Sequence, residues 1–187
     1  MRHTFIRAQI LTAATAIVLA AAATGAQNPV EHPQYPAPAH ERQVPAVERR
    51  LKTFDTLDFD VFSNQKWDRL AESHAADVIV TWPDGRETKG LRPHIDDLKA
   101  LFVYAPDIRI AVHPIRFGSG SWTGVTGVMT GTFSKPMPIA DGKFIQPTGK
   151  RFALTMATIA QWKDGKIAHE WLFWDNHDFM KQIGLAQ

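Results

Sequence analysis

Residues 150–174 read KRFALTMATIAQWKDGKIAHEWLFW, and this stretch decides the fold. Two strand-like runs, Lys150–Trp162 and Lys166–Trp174, flank the turn Lys163-Asp164-Gly165. Asp-Gly between two such runs is a strong hairpin signal, because both turn residues must accept positive φ. The spacing therefore predicts two long antiparallel neighbours. Upstream, Trp122–Ser134 reads as a third long strand, in which Gly124, Gly127 and Gly131 suggest bends or close backbone approach. Ile108–Phe117 is a fourth, ending at the turn Gly118-Ser119-Gly120. A loop with Pro136, Pro138, Asp141-Gly142 and Pro147 joins the third strand to the hairpin.

Helical signals precede these strands. Val47, Leu51, Phe54, Leu57 and Val61 recur at three- and four-residue spacing, as on one face of a helix. The end of that helix is ambiguous, since Leu57–Phe62 also reads as alternating. A shorter helix is predicted over Asn64–Ser73, with Trp67 and Leu70 inward. A strand over Ala76–Trp82 runs into Pro83-Asp84-Gly85, a second hairpin signal. A third helix covers Pro93–Tyr104, with proline suited to its first turn. A last short helix spans Asn176–Ile183. Helices gathered ahead of an antiparallel meander imply a single α+β domain, a curved antiparallel sheet packed on helices at one face. Such curvature leaves a concavity suited to a ligand.

The N-terminal segment is of another kind. Arg2 and Arg7 precede an uncharged apolar run, Ala8–Ala23, followed by Thr24-Gly25-Ala26. Positive, apolar, then small is the order of a cleavable signal peptide, expected over residues 1–26. The run of 16 residues falls short of the roughly 20 that span a bilayer comfortably. No stable membrane span is expected after cleavage, and the expected location is periplasmic or secreted. Residues 27–46 hold Pro29, Pro33, Pro36, Pro38 and Pro45, and read as an extended linker. The globular domain is expected over 47–187.

The whole chain carries 21 Lys+Arg and 19 Asp+Glu; without Arg2 and Arg7 the balance is 19 against 19. A neutral domain without clustered cations gives no footprint for nucleic acid. The absence of cysteine excludes disulfides, thiolate nucleophiles and cysteine-ligated zinc. There is no Gly-rich phosphate loop and no Gly-x-Ser-x-Gly elbow. No cofactor is expected. No histidine pair has the compact spacing of a helical zinc motif, so no metal site is expected either.

An ordered set of short motifs adds to this reading: Gly131-Thr132-Phe133, Pro147-Thr148-Gly149-Lys150, Asp164-Gly165-Lys166-Ile167, Trp171, Asp175 and Gln182-Ile183-Gly184. Together with the element order, they resemble the SnoaL-like polyketide cyclase (ester cyclase) family, within the cone-shaped nuclear transport factor 2-like fold. The resemblance implies an internal pocket, a small-molecule ligand, cofactor-free acid/base chemistry of the cyclase or isomerase type, and a homodimer. It also exposes a departure. Cyclases of this kind often carry an acid directly after the last-strand tryptophan, assisted by a histidine on the preceding strand. Here Leu172 follows Trp171, and the nearest positions on the preceding strand are Thr158 and Gln161.

Two residues are catalytic candidates. Asp175 ends a strand of aromatics, where apolar walls would raise its pKa toward that of a general base. It also directly precedes Asn176-His177-Asp178, where a carboxylate caps a helix. His74, between the second helix and the first strand, is placed to meet a substrate oxygen, or is bonded to backbone. Trp82, Trp122, Thr132, Phe173 and Trp174 are the ligand-binding candidates. In that reading Trp122, Thr126, Val128, Thr130 and Thr132 share the pocket-lining face of one strand. His94 is expected at the surface and His113 on the outer face; His169 reads either way, and His177 lies in the first turn of the last helix. The sequence leaves open an acid/base enzyme and a non-catalytic periplasmic binding or dimeric interaction protein. Convergent polar groups in the pocket favour the enzyme, and a wholly apolar cavity favours the binder.

Overall fold

The computed structural model describes residues 45–187. The expected signal peptide, 1–26, and most of the expected linker lie outside the described residues. Pro45 and Ala46 of that linker instead open the first helix, α1 (Pro45–Thr56). A proline is tolerated in a first turn because its missing N–H has no helical partner there. Val47, Leu51 and Phe54 form the buried stripe of α1. The ambiguous stretch continues the helix as a π-helical segment, Leu57–Phe62, burying Leu57, Val61 and Phe62. The wider turn breaks the three-four spacing and brings adjacent Val61 and Phe62 inward together. A 3-10 helix, Trp67–Glu72, follows and buries Leu70.

Strand β1 (His74–Thr81) and the short β2 (Glu87–Lys89) form the first hairpin. Its turn closes with Trp82 N–H donating to Arg86 C=O at 2.9 Å, and Gly85 takes φ +82°. Helix α2 (Leu91–Tyr104) begins after Gly90, whose φ of +95° suits glycine, and buries His94, Leu98 and Phe102. The expected strand 108–117 is two pieces, β3 (Arg109–Ile110) and β4 (Arg116–Ser119). Pro114, which has no N–H to give to a ladder, lies in the gap. Strand β5 (Trp122–Thr132), the two-residue strands β6 (Met137–Pro138) and β7 (Phe144–Ile145), then β8 (Arg151–Lys163) and β9 (Lys166–Trp174) follow. Helix α3 (Asn176–Gln182) comes last.

The β8–β9 turn has Asp164 at φ +51° and Gly165 at φ +77°, with Lys163 paired to Lys166, as the quoted stretch predicts. The main sheet runs β2-β1-β9-β8-β5-β3, with β4 also on β5. It is mixed rather than wholly antiparallel: β1 and β9 are parallel neighbours. Strand β1 advances five residues, from His74 to Ile79, while β9 advances two, from Ile167 to His169. That bulge re-aims the start of β1.

On β8 every second residue from Phe152 to Trp162 is buried. These residues meet Val47, Leu51 and Phe54 of α1 and Phe102 of α2 in one core. Fully burying a side chain such as Phe152, Leu154 or Met156 is worth about 1.5–3 kcal/mol of hydrophobic stabilisation. Trp162 keeps its indole N–H satisfied by donating to Thr123 Oγ1 at 2.8 Å. Among the described residues no helix is long and apolar enough to cross a membrane.

Candidate functional site

A cavity of about 50 Å³ lies between the π segment, α2 and the inner face of the sheet. Its walls are apolar, among them Leu57, Phe62, Leu98, Met129, Met156 and Leu172, with Trp82 and Trp174. Five polar side chains also line it: Asp58, His74, His94, Thr158 and Glu170.

One group gathers three elements. His74 opens β1, His94 sits in the first turn of α2, and Glu170 is on the inward face of β9. All three are nearly inaccessible, at 3%, 2% and 4% exposure. Glu170 Oε2 lies 3.6 Å from His74 Nε2 and 3.8 Å from His94 Nε2. The two imidazole centroids are 5.2 Å apart. Burial drives the His94 imidazole down to about 4, against the pull of Glu170. Burial pushes Glu170 up, but His74 and His94 outweigh it and hold the carboxyl below its ordinary value.

A second group adjoins the cavity from the helical side. His113 Nδ1 meets Asp55 Oδ1 at 2.9 Å, and its Nε2 meets Asp58 Oδ2 at 2.8 Å. Arg116 also bonds Asp55. Phe59 packs beside the His113 ring, with centroids 4.6 Å apart. Asp55 on α1 and Asp58 on the π segment lie three positions apart and so converge on one ring. Burial raises the Asp58 carboxyl above its ordinary value, and the His113 hydrogen bond and charge only partly offset this. Burial lowers His113, but its bonds and charge interactions with Asp58 and Asp55 prevail, and its imidazole lies above the ordinary value.

Several candidates fall elsewhere than expected. Asp175 is exposed and caps α3, accepting from the N–H groups of His177 at 2.8 Å and Asp178 at 3.0 Å. Those amides, Asp178 first, hold its carboxyl below the ordinary range, opposite to the shift a general base needs. Side chains alternate along β9, so Glu170, Leu172 and Trp174 face the cavity while Phe173 points to solvent. On β5 the inward set is Thr123, Val125, Gly127, Met129 and Gly131, the opposite parity from that expected. Trp122 is therefore outside, stacked on Trp171 at 5.5 Å, and Trp171 stacks on His169 at 3.6 Å. Thr132 is also outside, with its hydroxyl donating to Asp107 Oδ2 at 2.7 Å.

His74, Trp82 and Trp174 do line the cavity. His94 and His113 are buried rather than peripheral, because each has carboxylates for neighbours. His74, His94 and Glu170, which no spacing in the sequence singles out together, offer possible ligand atoms all within 4.8 Å of one another. Sequence reasoning missed Asp58 and Glu170 altogether. The signal for Glu170 was its parity with Leu172, the position where the resemblance expects an acid. Leu172 pairs in register with Thr158, so an apolar–hydroxyl pair stands where an acid–histidine pair was expected. The carboxylate lies two residues back on the same face.

The family model described as SnoaL-like polyketide cyclase matches residues 54–183. Among solved structures, a SnoaL-like protein from Jannaschia sp. CCS1 superposes with TM-score 0.68 at 19% identity, covering 79% of this chain and 99% of its own. A SnoaL-like polyketide cyclase from Agrobacterium tumefaciens C58 gives 0.56 at 19%, covering 74% and 98%. A protein of ketosteroid isomerase-like fold from Catenulispora acidiphila, solved with trimethylamine, gives 0.57 at 14%, covering 73% and 92%. No curated protein matches the sequence significantly. With the family model spanning most of its length and these folds superposing on it, the chain belongs to the SnoaL-like polyketide cyclase family.

Proposed function

We propose that the protein is an exported enzyme performing proton transfer on a small carbonyl compound bound in the cavity. The observation that carries this reading is the Asp58 carboxyl, only 13% exposed, on the wall of a largely apolar cavity also lined by His74, His94 and Glu170. Burial raises the Asp58 carboxyl above its ordinary value, the direction that strengthens a carboxylate as a base toward a carbon acid. Asp58 would take the proton α to the carbonyl, with His113 and Asp55 fixing its orientation. The polar cluster around His74 would stabilise the oxygen on which charge develops. A cavity of about 50 Å³ is far below the roughly 300–1,000 Å³ of sites for drug-sized ligands. A compound of a few heavy atoms fits, and a polyketide requires the cavity walls to move.

The test is solvent-deuterium exchange into the α-carbons of small ketones and β-dicarbonyls, followed by NMR. Asp58→Asn should reduce catalysed exchange by about 100-fold or more while circular dichroism stays native. Exchange that is unchanged in Asp58→Asn refutes the assignment. A second reading, a non-catalytic carrier of a small apolar molecule, is favoured by Leu172 and Thr158 standing at the expected acid and histidine positions. Binding without exchange across the panel would select it.

Two further parts of the proposal rest on separate features. Export to the periplasm or medium is supported by the positive, apolar, small order of residues 1–26. A homodimer is supported by large apolar side chains left exposed on and beside the sheet: Phe117, Trp122 and Phe173, at 57%, 42% and 51%.

A further inference from the structure

We infer that His74, His94 and Glu170 form a binding site for a divalent first-row transition-metal ion. The spacing comes first. Two ligand atoms about 2.0–2.2 Å from a common ion at a tetrahedral angle lie about 3.3–3.6 Å apart. A charge-assisted N–H···O hydrogen bond is shorter, about 2.7–2.9 Å. Glu170 Oε2 is 3.6 Å from His74 Nε2 and 3.8 Å from His94 Nε2. These separations are too long for hydrogen bonds and close to those of atoms sharing an ion. All three ligand atoms fall within 4.8 Å of one another, so small side-chain rotations complete the triangle.

The second observation is an unpartnered nitrogen. His74 Nε2 is buried and has no hydrogen-bond partner. Ser73 Oγ lies 3.1 Å from Leu70 C=O and 2.9 Å from His74 Nδ1; with its one proton on the carbonyl, the hydroxyl accepts from His74 Nδ1–H. In that tautomer Nε2 carries a lone pair facing the Glu170 carboxylate, the arrangement a shared cation would satisfy. Metal-bound histidines are oriented in this way, by giving the remote ring N–H to an oxygen acceptor. The bulge in β1 next to His74 and the first turn of α2 hold the two imidazoles against β9.

Two imidazoles and one carboxylate are a donor set for zinc or iron(II), with the remaining position open. Here that position faces the cavity, which all three residues line. The ligand class that follows is a small molecule with a carbonyl or hydroxyl oxygen, polarised at the ion. This last step rests on the reading of the cavity as a reaction site; metal binding itself does not.

The test uses the full untagged chain, stripped by chelator and without substrate. Zn²⁺ is titrated by calorimetry and Co²⁺ by visible absorption. The expected result is one equivalent of Zn²⁺ per chain and the strong d–d bands of a four- or five-coordinate Co²⁺ site. Glu170→Gln and His94→Gln should each weaken binding by about 100-fold or more, and Ser73→Ala, which removes the orienting hydroxyl together with its bond to Leu70 C=O, by about 10–100-fold. His177→Ala, at an exposed position, should change neither readout. Absence of stoichiometric uptake, weak octahedral Co²⁺ bands in the unmodified protein, or uptake that survives Glu170→Gln overturns the inference. Where a buried substitution fails to fold, the spectrum of the unmodified protein still decides. Asp58-dependent exchange without metal uptake would sink the ion alone; uptake with no exchange would sink only the proposed reaction.

Discussion

Replacing His113 by leucine should destabilise the domain by about 3 kcal/mol at neutral pH. The imidazole is 1% exposed and bridges Asp55 and Asp58, whose side chains are 24% and 13% exposed. Removing one partner of a buried ion pair costs about 3–5 kcal/mol, most of it for the charge left behind. Asp55 keeps Arg116, so the penalty falls on Asp58 and lies at the lower end. Leucine fills much of the ring volume, which keeps any cavity contribution small. The melting temperature should fall by about 10 °C for a domain of this size.

The pH dependence sharpens this prediction. His113 is raised in the folded state, so its pairing stabilises fully below the unfolded imidazole value and is lost as pH rises through the folded value. Asp58 is also raised, so it takes up a proton on acidification more readily folded than unfolded. Once protonated it no longer needs the imidazolium. The deficit of His113→Leu should therefore peak between the raised Asp58 value and the raised His113 value, and shrink on both sides. Urea denaturation followed by far-UV circular dichroism at about pH 4, 7 and 10 measures it. A deficit under about 1 kcal/mol at pH 7, or one growing steadily toward acid, would refute the reasoning.

Other outcomes follow from the same geometry. Asp175→Ala should lower the melting temperature by a few degrees, by loss of the α3 cap, and leave ligand binding unchanged. Its carboxyl is depressed in the fold, so that stabilisation is present above the unfolded value and lost as pH falls through the folded one. Leu172→Ala should cost about 2–3 kcal/mol, since its side chain already borders free space, and should extend binding to ligands one or two carbons larger in a thermal-shift series. Trp122→Glu combined with Phe173→Glu should yield monomers by light scattering, with the monomer fold intact.

The element order was legible because its signals are local. Asp164-Gly165 and Asp84-Gly85 each mark a turn that needs positive φ, and the three-four spacing from Val47 to Phe54 marks a helix. The short motifs from Gly131 to Gly184 also led to the right family. The site was much less legible. His74, Trp82 and Trp174 were found, but Trp122, Thr132 and Phe173 were placed on the wrong face. An aromatic on a strand suits a pocket wall or an exposed sheet face equally well. Strand parity relative to the helices decides which, and parity is set by packing that a single strand does not encode.

The candidate carboxylates illustrate the limit. Asp175 stood out because it follows an aromatic run, yet the helix start beside it captures its oxygen. Asp58 and Glu170 were inconspicuous, each an acid among alternating neighbours. Their surroundings come from a π-helical turn, a bulge in β1 and a parallel β1–β9 pairing, all long-range features. The sequence by itself determined the fold class, the turns that join its strands and the family to which it belongs. Only the tertiary structure decided which acids and histidines meet, because their convergence depends on register between elements far apart in the chain.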